Sequence, residues 1–180
     1  MTSGSETNFL RGHSDMKNIV LIGMPGAGKS TVGVLLAKTR LMSFTDTDLL
    51  IQEKFRKSLS DIIKEEGLDG FLCAENSVIC EASFENTVVA TGGSVVFGKE
   101  AMEKLKKNGT VVYLDVSVEE LEKRVNNIHT RGIAMKEGAT LGEVFLERKE
   151  LYEKYADFTI DCTNLSAEEC VDAIDKLLRI

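Results

Sequence analysis

Four consecutive aliphatic residues, Ile19-Val20-Leu21-Ile22, run straight into Gly23-Met24-Pro25-Gly26-Ala27-Gly28-Lys29-Ser30-Thr31, and then into Val32-Gly33-Val34-Leu35-Leu36-Ala37. This order reads as strand, glycine-rich turn and helix, with the G-x-x-x-x-G-K-S spacing of a phosphate-binding loop. The glycines let the backbone curl tightly enough for successive N–H groups to converge on one anion. The helix that follows adds its unpaired N–H donors and the positive end of its dipole. Gly26, Ala27, Gly28 and Thr31 would thus cradle a nucleotide's phosphates, Lys29 would reach the β/γ-phosphates, and the Ser30 hydroxyl would face Mg²⁺. A chain of this kind binds a nucleoside triphosphate on an α/β frame.

The rest of the chain supports that frame. Apolar runs at Asn18–Ile22, Met42–Thr45, Thr87–Ala90, Thr110–Leu114 and Phe158–Ile160 alternate with helical patterns. Helices are expected at Lys29–Arg40, Leu49–Phe55, Leu59–Glu66, Gly70–Ser83, Lys99–Lys107, Val118–Asn126, Leu141–Tyr155 and Ala167–Leu178. Three starts carry the S/T-x-x-E pattern of a capping box: Ser117/Glu120, Thr140/Glu143 and Ser166/Glu169. Strands separated by helices imply a five-stranded parallel sheet in a three-layer α/β/α domain, with ligands at the carboxyl ends of the strands. We expect one kinase-type domain over 16–180, with an acceptor-binding helical region at about 47–83, a small lid at about 126–139, and a flexible tail or expression remnant at 1–15.

Composition excludes several classes. A formal net charge of −7 argues against nucleic acid as the main partner. No run is long and apolar enough to cross a bilayer, and no signal peptide is visible, so a cytoplasmic protein is expected, with a monomer favoured. Cys73, Cys80, Cys162 and Cys170 lack C-x-x-C spacing and read as buried, reduced thiols.

Three further segments point to chemistry. Asp46-Thr47-Asp48 ends a strand and opens a helix. Either acid would serve as a cap, but behind a phosphate loop Asp46 suits Mg²⁺ and Asp48 suits the hydroxyl that attacks the phosphoryl group. Thr91-Gly92-Gly93-Ser94 closes the third strand, where paired glycines admit a substrate against the backbone or form a plain turn. Between 126 and 139, Gly132 and Gly138 read as hinges and Arg131 and Lys136 as mobile cations of a lid. His129 reads as an incidental loop residue, and Arg148, taken by its neighbours alone, as a solvated helix charge.

Together these segments resemble the shikimate kinase family, from about Met16 to the end. The likeness rests on the phosphate loop, Phe44-x-Asp46-x-Asp48, Thr91-Gly92-Gly93, and Arg148-x-x-x-Tyr152-x-x-x-Ala156-Asp157. It implies an ATP-dependent enzyme that makes shikimate 3-phosphate in aromatic amino-acid biosynthesis. Ser30 and Asp46 would serve Mg²⁺, and Asp48 would contact acceptor hydroxyls as base. Gly92, Gly93 and Arg148 would hold the acceptor, Arg148 through its carboxylate. Arg124 would flank adenine, and Arg131 would be the lid arginine. Three departures stand out. Leu72 occupies the place of a second carboxylate-binding arginine, the lid's Arg-Pro-Leu is Arg131-Gly132-Ile133, and Ser94 replaces a third glycine. One charge-assisted hydrogen bond contributes on the order of 1.5–3 kcal/mol, roughly ten- to a hundredfold in affinity. Either Arg56 or Lys57 compensates, or the acceptor differs: another small acid or polyol, gluconate-like. A nucleoside monophosphate kinase fits less well, since no basic cluster awaits an acceptor phosphate. A nonenzymatic nucleotide-dependent switch is the alternative from another class.

Overall fold

A computed structural model describes residues 17–124 and 133–179. Its five strands are β1 (Asn18–Ile22), β2 (Ser43–Asp46), β3 (Thr87–Ala90), β4 (Gly109–Asp115) and β5 (Phe158–Asp161), all parallel, in the order β2-β3-β1-β4-β5. Every residue of β1 and β3 is buried, as a parallel sheet covered on both faces demands. The seven helices are α1 (Lys29–Arg40), α2 (Thr47–Phe55), α3 (Leu59–Glu81), α4 (Lys99–Asn108), α5 (Val118–Arg124), α6 (Leu141–Tyr155) and α7 (Ala167–Leu177), with a 3₁₀ turn at Val95–Phe97. Helix α1 packs on β1, β3 and α7, whereas α4 packs on α3, β1 and β4. The expected three-layer α/β/α architecture is the one observed.

Element boundaries follow the sequence patterns to within one or two residues, with instructive exceptions. The two helices expected at Leu59–Glu66 and Gly70–Ser83 form a single kinked element, α3. Gly67, at φ 73°, breaks the helical geometry there; this left-handed region suits glycine and lets the chain turn and resume. Capping boxes close on both sides at Thr140/Glu143 and Ser166/Glu169. At Ser117 only half a box forms. Glu120 N–H donates to Ser117 Oγ, while the Glu120 carboxylate turns forward to Lys123 and Arg124. Two nearby cations outcompete one backbone N–H, which Thr163 Oγ1 satisfies instead at 3.1 Å. Among the cysteines, Cys162 and Cys170 are buried, but Cys73 is exposed and Cys80 half-buried, because the outer side of α3 faces solvent.

Two apolar cores result. The main one wraps the sheet, from Val20 and Leu21 to Tyr113, Tyr152 and Ile174. A smaller one joins Ile51, Leu59, Ile62, Phe71 and Val78 with Ala134, and Leu72 packs against it. The smaller core supports the region expected to bind the acceptor. No described helix is long and apolar enough to cross a membrane.

Candidate active site

The carboxyl ends of the strands converge on a cavity of about 500 Å³. Leu21 at the end of β1 accepts hydrogen bonds from both N–H and Oγ1 of Thr91, beyond β3. Thr47, beyond β2, accepts from Gly92 N–H at 3.2 Å. Three strand ends are thereby stitched together, and the motifs read separately in the sequence become one surface.

On the nucleotide side, Gly26, Gly28, Lys29, Ser30 and Thr31 line the cavity, with Ala27 buried beneath. Lys29 is itself buried, and its Nζ donates to Gly23 O at 2.7 Å and Met24 O at 2.9 Å. Burial is the main cause that pulls its ammonium down to about 8, with Asp48 and Asp46 opposing. An anion arriving in the loop would favour the charged form. Ser30 Oγ donates to Asp46 Oδ2 at 2.6 Å, and Asp46 Oδ1 accepts from Asp48 N–H at 3.0 Å. Asp46 therefore caps α2 and faces the phosphate loop at once; the two readings of this acid do not compete. Hydroxyl and carboxylate oxygens side by side are hard donors of the kind Mg²⁺ accepts, with phosphates and water completing its shell.

On the acceptor side stand Asp48, Gly92, Gly93, Ser94, Leu59, Phe71, Ala134 and Arg148. Burial, reinforced by Asp46, raises the Asp48 carboxyl to about 6, so it is mostly anionic at neutral pH. Arg148 is only 1% exposed, contrary to the solvated charge its helical neighbours suggest. Helix α6 packs over the 3₁₀ turn and β4, which drives that position inward. Its Nη2 donates to Ala134 O, its guanidinium lies 5.5 Å from the Phe97 ring centroid, and its Nε and Nη1 have no partner among the described residues. A buried guanidinium with free donors at a cavity wall is built to take an anion. Tyr152, one helical turn on, donates to Gly93 O at 2.6 Å and stacks on Tyr113 at 5.0 Å, fixing the two-glycine floor.

Glu75 closes the stretch in which Leu72 replaces the family's second arginine, and the sequence reading assigns it no role. It is 2% exposed beneath that floor, where its Oε2 accepts from Ser94 Oγ at 2.7 Å. The signal existed: Phe71, Glu75, Val78 and Ile79 share the buried face of α3, and an acid in such a stripe requires a reason.

Arg124 lines the cavity, held by Glu120 at 2.9 Å and by the Thr163 carbonyl at 3.2 Å. Leu72 is half-buried, packs against the smaller core and does not line the cavity. Neither Arg56 nor Lys57 compensates: neither lines the cavity, and Lys57 is bound to Glu65. Arg131, Gly132 and His129 lie outside the described residues, as do residues 1–16. Of the expected lid, Ile133 and Ala134 line the cavity; Lys136 lies 3.9 Å from Glu147, away from it.

A phosphate loop on β1, paired acids after β2 and a buried arginine across the cavity define a P-loop small-molecule kinase. The family model described as shikimate kinase matches residues 25–179, and the chain belongs to the shikimate kinase family. Shikimate kinases of Vibrio vulnificus and Enterococcus faecalis are 35% and 36% identical to it. These matches cover 92% and 91% of this chain and 98% and 99% of theirs. Among solved structures, shikimate kinase from Acinetobacter baumannii in complex with shikimate superposes with a TM-score of 0.84 at 33% identity, covering 91% of this chain and 93% of that one. Thymidylate kinase from Candida albicans (TM-score 0.63, 10% identity, 91% of each chain) shares the fold alone.

Proposed function

We propose that this protein transfers the γ-phosphoryl group of ATP to a hydroxyl of shikimate, giving ADP and shikimate 3-phosphate in the cytoplasm. The observation that carries the reading is the buried, partly unpartnered Arg148 facing the same cavity as Asp48 and the phosphate loop. An acceptor with a carboxylate at one end and hydroxyls at the other bridges these two groups. The comparison with a relative whose structure holds shikimate supports that choice.

The residues divide the work. Arg148 grips the carboxylate, Gly92 and Gly93 form the floor, and Asp48 orients the hydroxyl and accepts its proton. The hydroxyl oxygen bonds to the γ-phosphorus as the bond to the β,γ-bridging oxygen breaks, and that electron pair leaves on ADP. Lys29 and the loop N–H groups neutralise charge that builds on the phosphoryl oxygens, where positioning and electrostatics supply nearly all the catalysis. Ser30 and, directly or through water, Asp46 would hold Mg²⁺, which would supply further neutralisation of phosphate charge. Arg124 flanks the adenine. By the family resemblance Arg131, outside the described residues, would be the lid arginine that neutralises charge on the transferring group.

One observation favours a second acceptor. With Leu72 packed against an apolar core, Arg148 is the one cation on the acceptor side of the cavity among the described residues. A polyol acid such as gluconate needs no second arginine if its hydroxyls carry more of the binding. A panel of hydroxy acids and polyols at millimolar concentration, scored by coupled ADP release, tests both. Shikimate is expected to give the highest kcat/KM; no shikimate-dependent release, with turnover of another acceptor, would replace it.

A further inference from the structure

Glu75 and Arg148 flank the two glycines on which the acceptor rests, and they do not form an ion pair. A Cβ on Gly92 would fall on Glu75 Oε1 and lie 2.8 Å from Asp48 Oδ1; one on Gly93 would lie 3.0 Å from Arg148 Nη1. Only a residue without a side chain lets Glu75 press so closely against the floor. Among the described residues its Oε1 has no hydrogen-bond partner, and neither have Nε and Nη1 of Arg148. A buried carboxyl with one hydrogen bond and a buried guanidinium with two idle donors thus share one small volume.

The groups facing Glu75 come from four directions. They are Ser94 beyond β3, Asp48 on α2, Lys29 on α1 and Arg148 on α6. Burial is the largest influence and raises its carboxyl to about 7; Asp48 raises it further, while the Ser94 hydrogen bond, Arg148 and Lys29 oppose. An ionised Glu75 offsets part of the positive potential at Arg148. An acceptor anion docked on Arg148 meets that offset as repulsion, and in turn makes ionisation of Glu75 harder. The two effects are one coupling free energy seen from either side.

We infer that Glu75 is a positioning residue acting through Arg148: the acceptor's anion is gripped tightly only while Glu75 carries a proton, and acceptor binding takes up a proton there. The inference rests on the reading of Arg148 as the acceptor's anchor.

The test is the pH dependence of the shikimate KM, at saturating MgATP, for wild type and Glu75→Gln, between pH 6 and pH 8.5. Glutamine keeps an acceptor for Ser94 but never ionises. The wild-type KM is expected to rise by up to about tenfold from pH 6 to pH 8, the range over which a carboxyl titrating near 7 loses its proton. The variant is expected to lose this rise and keep only the pH dependence that Asp48 and Lys29 give both proteins. Calorimetry of shikimate binding to wild type, in buffers of different ionisation enthalpy, is expected to show proton uptake at pH 8 and almost none at pH 6; it decides alone if the variant does not fold. Equal KM slopes in the two proteins, or no uptake at pH 8, would overturn the inference and leave the shikimate reading standing. A wild-type protein without shikimate-dependent ADP release would overturn both.

Discussion

Replacing Arg148 by methionine should separate stability from activity. Methionine follows the same path through the core without the charge. The substitution forfeits the Nη2 hydrogen bond to Ala134 O and the contact with the Phe97 ring 5.5 Å away. These contribute about 1.5–3 kcal/mol and about 0.5–2 kcal/mol. It also removes two buried donors without partners, Nε and Nη1, each of which costs about 1–3 kcal/mol while unsatisfied. The terms nearly cancel and leave the unliganded variant within about 1–2 kcal/mol of wild type. Catalysis should move the other way. Two charge-assisted bonds to the acceptor carboxylate, at about 1.5–3 kcal/mol each, convert to a loss of two to four orders of magnitude in kcat/KM. Denaturant unfolding without ligands and coupled ADP release with shikimate measure both sides. A variant destabilised by several kcal/mol whose kcat/KM changes less than tenfold would show that Arg148 is a structural residue and refute the anchor.

Other substitutions test the remaining roles. Lys29→Met should lower the rate of phosphoryl transfer at least about a hundredfold with the fold retained, seen by coupled ADP release and circular dichroism. Asp48→Asn should lower kcat much more than it changes the ATP KM, whereas Asp46→Asn should raise the Mg²⁺ concentration needed for half-maximal rate; full activity in both would return the pair to helix capping. Glu75→Gln should change the pH dependence of stability. The native carboxyl titrates near 7, above the ordinary carboxylate range, so the folded wild type binds more protons than the unfolded chain and loses stability as pH rises from about 4.5 through 7. The variant, with nothing to titrate at that position, should gain on wild type across this window by up to about 3 kcal/mol, measured by urea unfolding at pH 5 and pH 8. Leu72→Arg should place a guanidinium one helical turn from Glu75 and lower the shikimate KM by up to about tenfold if it reaches the carboxylate; lost activity would show that it stays buried and unpaired.

Local rules made the nucleotide half of this protein legible. The glycine spacing, the Lys29-Ser30 pair, the aliphatic run before them and the caps at Thr140 and Ser166 each act within a few residues. Steric and hydrogen-bonding preferences at that range are written directly in the chain. Five strands alternating with helices likewise implied the sheet, because a parallel pair needs a crossover. The acceptor half depended on contacts between residues far apart in sequence. By its own neighbours Arg148 reads as a surface charge, and it is buried only because α6 lies across the 3₁₀ turn and β4. Glu75 belongs to an apolar stripe, but the stripe does not say that Ser94 and Gly92 lie opposite it. Leu72 marks a missing arginine in the sequence, and the packing of α2 against α3 decides that it lies against a small apolar core. Periodicity names the face of a helix that leaves water; what that face meets is a property of the assembled fold, where one buried position becomes core and the next lines a cavity.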